Sequence, residues 1–473
     1  MDISLHLDDN RHEPLYIQLY QYFREEITTL RIAPATRLPS IRQLSEFLQV
    51  SKTTIQMAYD QLLAEGYVES RERSGYYAVK LEDEAFGSIR PNHQKNLAAI
   101  DRSMKSHPID IDFYMSSVDV HHFPFDTWRK YTNMATTFEQ KELLAYGDRQ
   151  GEFELRNSIS HYLRQSRGVN CTPDQIVLGS GTQTVLQILC QLIGLDGRRV
   201  AIEEPGYRGA RQVFQLFGYK LVPISLEEDG ISVHELSRSD AKLVYITPSH
   251  QYPIGMVMPV QKRLKLLRWA EENQGIIIED DYDGEFRYRG KPIPSLQGLD
   301  THGLVVYVGT FSKSLMPAIR ISYMVLPTHL LTIYQQRFNS FDHTVSRLHQ
   351  RTLQLFMDNG EWDRHIRRMR TLYHKKHAFL LHTIKTVMGE HVNIMGQDAG
   401  LHIVIDVKST IPADELVEIA ARAGVQVYST SHTWHQLPPK EQILILLGFG
   451  GLSMEQIEQG IKQLDEVWRV FYL

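Results

Sequence analysis

Past Asp110 the chain alternates short apolar runs rich in Val and Ile with longer amphipathic segments, and few folds accept that alternation. A short run that is apolar throughout fits a strand covered on both faces. Parallel strands need a crossover helix to return the chain, so the pattern predicts an α/β domain built on a parallel sheet. The clear runs are residues 176–178, 200–202, 243–246, 276–278 and 305–308, with helices expected over 184–193, 260–273 and about 362–388. At 473 residues, 42% hydrophobic and 23% charged, the chain can bury a large core and has length left for a further domain.

In open α/β sheets ligands gather beyond the carboxyl ends of the strands, so the residues after each run should carry the chemistry. The first run leads into Gly179, Ser180, Gly181, Thr182 and Gln183 ahead of a helix, a phosphate cradle of backbone N–H groups at a positive helix end. The second leads to EEPGYR with Tyr207 and Arg208, and the third to TPSHQYPIG with Tyr252. The fourth leads to EDDYDGEF with Asp280 and Tyr282, and the fifth to GTFSKSLMPAIR with Thr310, Ser312, Lys313 and Arg320. Singly each has an ordinary reading: Lys313 as a solvated loop lysine, Asp280 as a helix cap, Tyr207 as a turn aromatic. Together they describe a site for pyridoxal phosphate (PLP). A carboxylate facing the pyridine nitrogen keeps the ring protonated and electron-withdrawing, which is the part expected of Asp280. A lysine amine in a desolvated pocket or beside cations loses its proton readily and forms a Schiff base, which is expected of Lys313. Thr310, Ser312 and Arg320 would hold the phosphate together with the Gly181, Thr182 and Gln183 loop. Tyr207 would stack on the ring, and Tyr282 or Tyr252 would hydrogen-bond its phenolic oxygen.

The first eighty residues read as a separate unit. Leu15, Leu19, Tyr22, Phe23, Ile27 and Leu30 recur at helical spacing, and Pro34 ends that helix. In LPSIRQLSEFLQV, Ser40 and Gln43 form a capping-box pattern ahead of Ile41, Leu44, Phe47 and Leu48 on one apolar face. Ser51 then caps a third helix that turns Ile55, Ala58, Tyr59, Leu62 and Leu63 inward, with Gly66 where a left-handed cap is wanted. YVESRERSGYYAV reads as two strands around a turn near Arg71, Arg73 and Gly75. Helix, turn, helix and wing predict a DNA-binding module. The start of its second helix would meet base edges through Lys52, Thr53, Thr54 and Gln56 beside Ser51, while Arg42, Arg71 and Arg73 suit phosphates.

Residues 81–109 keep neither period and carry Gly87, Pro91 and Pro108. The expected organisation is therefore a DNA-binding domain over 1–80, a linker over 81–109 and a PLP-binding domain over 110–473. Cys171 and Cys190 make no disulfide framework and lack metal-like partners, so no metal is expected and a reducing cytoplasm is. No apolar run approaches the roughly 18 residues of a membrane span. A net charge of −5 requires that any DNA contact come from a local surface, and from a dimer. The basic run Arg364, His365, Arg367, Arg368, Arg370, His374, Lys375 and Lys376 reads as a solvated helix face, with a supplementary DNA contact as the alternative.

PSIRQLSEFLQVSKTTIQMAYDQLLAEGYVESRERSGYYAV, residues 39–79, resembles the GntR class of winged-helix regulators almost position for position. YGDRQGEFELRNSISHYLRQSRGV, GSGTQ, EEPGY, TPSHQYPIG, IIIEDDYDGEFRY and GTFSKSLMPAIRISYMVLP resemble fold type I aminotransferases. The whole chain is similar to the MocR/GabR branch of GntR-like regulators. That resemblance implies an N-terminal winged helix-turn-helix (α+β) followed by an α/β fold type I PLP-dependent aminotransferase-like domain with large and small subdomains. It also implies a head-to-tail, domain-swapped homodimer in which Tyr146 of YGDRQG reaches the other subunit's coenzyme phosphate. The partners it implies are a double-stranded DNA operator and a small-molecule effector.

Fold type I enzymes usually grip the substrate carboxylate with an arginine from the small carboxy-terminal domain, and GABA-responsive members of the branch do likewise. This sequence has no arginine between Arg422 and Arg469, and offers His432 and His435 instead. The histidines are either loop residues without a ligand, or His432 replaces the missing cation for a ligand lacking an ordinary carboxylate or held by Arg208. The omission speaks against robust transamination and against GABA as effector, not against the Schiff base. Three readings remain: a regulator that responds to an amine effector, a regulator for which PLP itself is the signal, and an active aminotransferase with a tethered DNA-binding domain.

Overall fold

The computed structural model describes residues 13–72, 74–81, 108–194, 198–288, 293–338, 340–342, 344–436 and 442–473. Two compact units divide the chain, Met1–Lys105 and Ser106–Leu473. The expected linker lies outside the described residues apart from Leu81, Pro108 and Ile109.

The first unit contains helices α1 (Leu15–Thr28), α2 (Ile41–Leu48) and α3 (Lys52–Ala64), then strands β1 (Val68–Arg71) and β2 (Gly75–Ala78). Ser40 and Gln43 close a capping box at the start of α2, and the Ser51 hydroxyl accepts from Thr54 N at 3.1 Å at the start of α3. The strands pair antiparallel, with Arg71 opposite Gly75 at the tip. Phe23, Tyr59 and Tyr76 pack edge to face at 5.6 and 5.1 Å and tie α1, α3 and the wing into one core. Three residues expected inside are outside: Leu30 is 58% exposed, Phe47 64% and Leu63 38%. The first helix ends at Thr28, and Leu30 follows in a left-handed turn at φ 59°, so it leaves the apolar face and Ile32 fills the space. The second helix has only two turns, and Leu44 alone reaches the centre. Leu63 is rotated a further 100° or so from buried Leu62 on α3.

The second unit opens with β3 (Ile111–Asp112) and holds an eight-stranded sheet. Its strands are β4 (Ile176–Gly179), β5 (Arg199–Glu204), β6 (Lys220–Glu227), β7 (Gly230–Ile231), β8 (Leu243–Ile246), β9 (Ile276–Asp281), β10 (Val305–Thr310) and β11 (Ser322–Val325). Their spatial order is β4-β11-β10-β9-β8-β5-β6-β7, parallel from β10 through β6 and antiparallel on both sides of β11. The expected runs are all strands, and the ladder carries most of them past their apolar stretch. Val308 pairs with Asp280 and Gly309 with Asp281, so polar residues that end the apolar signal remain in the sheet and emerge together at its carboxyl edge. Three strands of this sheet are not among the expected runs: β6 contains Pro223 and has one buried residue, β7 is two residues long, and β11 opens on Ser322 although all four of its residues are buried. Helices Thr182–Ile193, Arg208–Leu216, Val260–Asn273 and Thr328–Arg337 are among those that cover the sheet.

A smaller antiparallel sheet is built from β12 (Val392–Met395), β13 (His402–Val407), β15 (Tyr428–Ser429) and β16 (Leu444–Gly448), while β14 (Val425–Gln426) pairs with β3. The long helix Glu361–Val387 and the helix Met454–Trp468 pack with this sheet in one core that includes Tyr373, Leu380, Ile403, Ile445 and Trp468. Each large apolar side chain fully buried there contributes roughly 1.5–3 kcal/mol. No helix among the described residues is long and apolar enough to cross a membrane.

Candidate functional site

The carboxyl ends of β5, β8, β9 and β10 open onto one cavity of about 560 Å³. Thr182, Gln183, Tyr207, Tyr252, Asp280, Tyr282, Thr310, Ser312, Lys313 and Arg320 all line it, so ten of the residues singled out in sequence meet in one space. Tyr207 caps the helix Arg208–Leu216, and its ring stands edge-on to Tyr252 at 5.8 Å. The side-chain period of two along β9 decides which acid faces the cavity. Asp280 lines it, whereas Glu279 accepts from the amides of Leu296 and Gln297 at 2.8 Å, and Asp281 accepts from Arg167 at 2.6 Å and Tyr307 at 2.7 Å.

Asp280 is 3% exposed, and burial pushes its carboxyl from 3.8 up to about 7. Tyr245 donates to one of its oxygens, and the other, Oδ1, is buried without a hydrogen-bond partner. A buried acceptor left open is costly, and a ring N–H in the cavity would satisfy it. Lys313 is half-buried. Burial pulls its ammonium down to about 8 against the opposing pull of Asp283, so a useful fraction of free amine exists near neutral pH. Its Nζ donates to the Met115 carbonyl at 2.6 Å and reaches the Ser116 hydroxyl at 3.3 Å.

At one end of the cavity the groups suit a phosphate. Arg320 sits at φ 51°, which turns its side chain back so that Nη2 donates to the Ser180 carbonyl at 2.8 Å. Gly181 caps the helix Thr182–Ile193 at φ 118°, and a Cβ there would lie 2.1 Å from Arg320 Nη2, so only glycine admits the guanidinium to the helix start. The Thr310 hydroxyl accepts from Ser322 Oγ at 2.8 Å and from Ser312 N at 3.2 Å, and donates to Ser312 Oγ at 3.1 Å. An open carboxylate oxygen, an amine with a lowered pKa, edge-to-face tyrosines and an anion cradle of helix amides and arginine fit PLP.

Three expected site residues stand apart from the cavity wall. Arg208 and His432 are exposed and near one another, since Arg208 helps to lower the His432 pKa after burial has done most of it. Tyr146 is 90% exposed. Several groups escaped the sequence reading. The segment 114–118 covers Lys313, yet DFYMSSV has neither helical nor strand period. Arg211 donates to the carbonyls of His432 at 2.7 Å and Thr433 at 3.1 Å, one helical turn beyond Arg208, and so steadies the arginine-free stretch. His250 and Asp283, each 1% exposed, lie directly behind Tyr282. The motifs TPSHQYPIG and EDDYDGEF contain both, but nothing in a linear motif shows that they touch.

On the smaller unit, Lys52 and Thr53 project from the start of α3 and are exposed, with Thr54 half-buried behind them. Gln56 is half-buried and donates to Asp60 at 2.7 Å and Tyr76 at 3.3 Å. Arg42 pairs with Glu46 at 3.0 Å, and Arg71 pairs with Glu69 at 2.6 Å while its guanidinium lies 4.3 Å from the Tyr77 ring centre. Arg73 lies outside the described residues. Exposed Arg37, which lies ahead of the motif over residues 39–79, bridges to Tyr77 of the wing.

The basic run does not form one solvated face. His365 is buried with Nε2 3.0 Å from the Ser314 carbonyl, and Arg368 donates to the His122 carbonyl at 2.9 Å. Arg370 donates to the Glu285 carbonyl at 3.0 Å, and Lys376 pairs with buried Asp119 at 2.7 Å. Helical geometry distributes the basic residues around the axis, and these four fix the long helix Glu361–Val387 to its neighbours.

Residues 111–446 match the family Aminotransferase class I and II, and residues 15–77 match Bacterial regulatory proteins, gntR family. The chain is 44% identical over 472 residues to the uncharacterized HTH-type transcriptional regulator YdeL of Bacillus subtilis strain 168, covering 99% of this chain and 100% of that one. It is 34% identical over 467 residues to the probable rhizopine catabolism regulatory protein MocR of Rhizobium meliloti, covering 97% and 94%. Among solved structures it resembles LysN, an α-aminoadipate aminotransferase of Thermus thermophilus complexed with N-(5'-phosphopyridoxyl)-L-leucine, with a TM-score of 0.69 and 22% identity over 76% of this chain and 92% of that one. That last likeness speaks for the fold.

Proposed function

The chain belongs to the MocR/GabR family, a gntR-type winged helix joined to an aminotransferase class I and II domain, and we propose that it is a PLP-dependent transcription regulator whose larger unit senses a small amine. The observation that carries the reading is the convergence of Lys313, Asp280 and the Arg320 cradle in one cavity, in a chain that also carries a DNA-binding unit.

When bound, PLP supplies an aldehyde for condensation with amines and an electron-withdrawing ring. The residues of this chain do the rest. Lys313 gives the attachment amine, kept reactive by burial. Asp280 would offer its open oxygen to the ring N–H, and Tyr207 would stack on the ring. Tyr282 or Tyr252 donates to the phenolic oxygen. Arg320, Thr310, Ser312 and the helix start at Thr182 hold the phosphate, with Gln183 beside them. Tyr146 reaches the same phosphate from the second subunit of a head-to-tail homodimer. Its 90% exposure, beside Leu144 at 81% and Phe138 at 79%, supports a role completed by a partner surface.

Arg208 is the anchor for an acidic group on the effector, with His432 beside it. Arg211 is already committed to two carbonyls, which leaves Arg208 as the cation one residue from Tyr207. Lys52, Thr53, Thr54 and Gln56 meet base edges and Arg42 and Arg71 meet phosphates, once their local partners give way. The complete coenzyme set also supports a second reading, an active aminotransferase with a tethered DNA-binding domain.

The test is a spectral titration. Purified protein loaded with PLP shows a visible band that Lys313→Ala abolishes, and amines that act as effectors shift it. No band in either protein overturns the coenzyme assignment. Sustained keto-acid release over many turnovers per site favours the aminotransferase, and a response to PLP with no amine makes PLP itself the signal.

A further inference from the structure

We infer that Asp283 and His250 form a positioning pair that turns the Tyr282 hydroxyl proton into the cavity, an inference that rests on the coenzyme reading above. His250 Nδ1 lies 3.0 and 3.1 Å from the two oxygens of Asp283 and 3.0 Å from the Tyr282 oxygen. Both His250 and Asp283 are 1% exposed, so water offers neither an alternative partner. A nitrogen lone pair facing a carboxylate at that distance is repulsive, so Nδ1 carries a proton whether the ring is neutral or charged. With Nδ1 a donor, the Tyr282 oxygen can only accept on that side. Its own proton has no acceptor there and points into the cavity that Tyr282 lines.

The surroundings keep that proton in place. Burial first, then Asp283, Tyr252, Asp280 and Glu203, hold the Tyr282 phenol well above its ordinary pKa. His402, whose ring centre is 4.7 Å from that of His250, stays neutral because burial pushes it down to about 3, and its Nε2 is 3.0 Å from the Pro253 carbonyl. Among the described residues Lys313 also faces this cluster, where it helps to keep His402 neutral, and Asp283 raises the Lys313 pKa. The pair thus makes Tyr282 a fixed donor to an anionic oxygen of whatever ring occupies the cavity, and the PLP phenolate is that oxygen. It also selects Tyr282 over Tyr252 for the role.

The pH midpoint of the visible band of PLP-loaded protein reads this directly, because a donor to the phenolate favours the deprotonated form. Tyr282→Phe raises the midpoint by about one to two pH units, the scale of one hydrogen bond to a charged oxygen. Asp283→Asn frees His250 to take the Tyr282 proton and raises the midpoint by about one unit. If Asp283 acted only as a negative charge, its removal would lower the midpoint, so the sign separates positioning from simple electrostatics. In Tyr282→Phe, adding Asp283→Asn gives no further rise. Should Asp283→Asn fail to load coenzyme, the contrast is read at His250. His250→Asn keeps an N–H donor and stays near the wild-type midpoint, whereas His250→Leu, which removes the N–H that fixes the Tyr282 hydroxyl, shows the rise. No band in the wild type contradicts the coenzyme reading. A band whose midpoint is unmoved or lowered by Asp283→Asn and by His250→Leu contradicts the positioning pair.

Discussion

Replacing Gly181 by alanine tests the anion cradle where its geometry is tightest. The new Cβ would lie 2.1 Å from Arg320 Nη2 and 2.9 Å from Cζ, so the guanidinium must withdraw and lose the 2.8 Å bond to the Ser180 carbonyl. It would also retreat from the bound phosphate. A hydrogen bond from a charged donor is worth about 1.5–3 kcal/mol, which corresponds to roughly 10- to 100-fold in affinity. The φ of 118° adds backbone strain of about 1–3 kcal/mol to the fold itself. Gly66→Ala is the control: it has positive φ of 77°, nothing within 4 Å of the added Cβ, and lies in the DNA-binding unit. Coenzyme affinity measured by titrating PLP into apo-protein, with thermal denaturation alongside, separates the two effects. Gly181→Ala weakens PLP binding by one to two decades, while Gly66→Ala costs stability alone. A Gly181→Ala protein that binds PLP within about threefold of wild type would refute the cradle, since that is under 0.7 kcal/mol.

Other consequences follow from buried charge. Because the folded pKa of Asp280 is raised from 3.8 to about 7, its contribution to apo-protein stability is complete below the lower value and is lost as pH rises through the upper one. Asp280→Asn therefore flattens part of the fall in denaturation midpoint between about pH 4 and 7. Lys376→Met takes the ammonium from buried Asp119 and leaves that carboxylate only its contacts to His122, and urea unfolding shows a loss of up to about 3–5 kcal/mol. On the smaller unit, Lys52→Ala lowers DNA affinity, and if its contact is to phosphate the slope of log affinity against log salt becomes shallower by about one.

The strands were legible because an apolar run between amphipathic segments has one cheap solution, and the site was legible because parallel strands deliver their carboxyl ends to one edge. Asp280 could be chosen from EDDYD on chemistry, and the period of β9 agrees, since Asp281 faces Arg167. What stayed hidden depends on contacts between distant segments. Met115 reaches Lys313 across nearly two hundred residues, and Arg211 becomes relevant only when its helix meets the turn at His432. The misplaced core residues have causes of another kind: Leu30 lies beyond a helix end, Phe47 lies on a two-turn helix, and Leu63 lies one position too far around α3 from buried Leu62. The basic run misled because charge counts ignore which side of a helix each residue occupies.

In the proposed regulator, occupancy of the Lys313 cavity governs DNA binding. It is tested by measuring the affinity of the full chain for a duplex selected by the wild-type protein from random sequences, with and without PLP and a band-shifting amine, in wild type and Lys313→Ala. Ligand changes the wild-type affinity at least several-fold and leaves Lys313→Ala, which still binds the duplex, unmoved. Equal affinities in wild type under all ligand conditions, or a Lys313→Ala protein that responds like wild type, would contradict it.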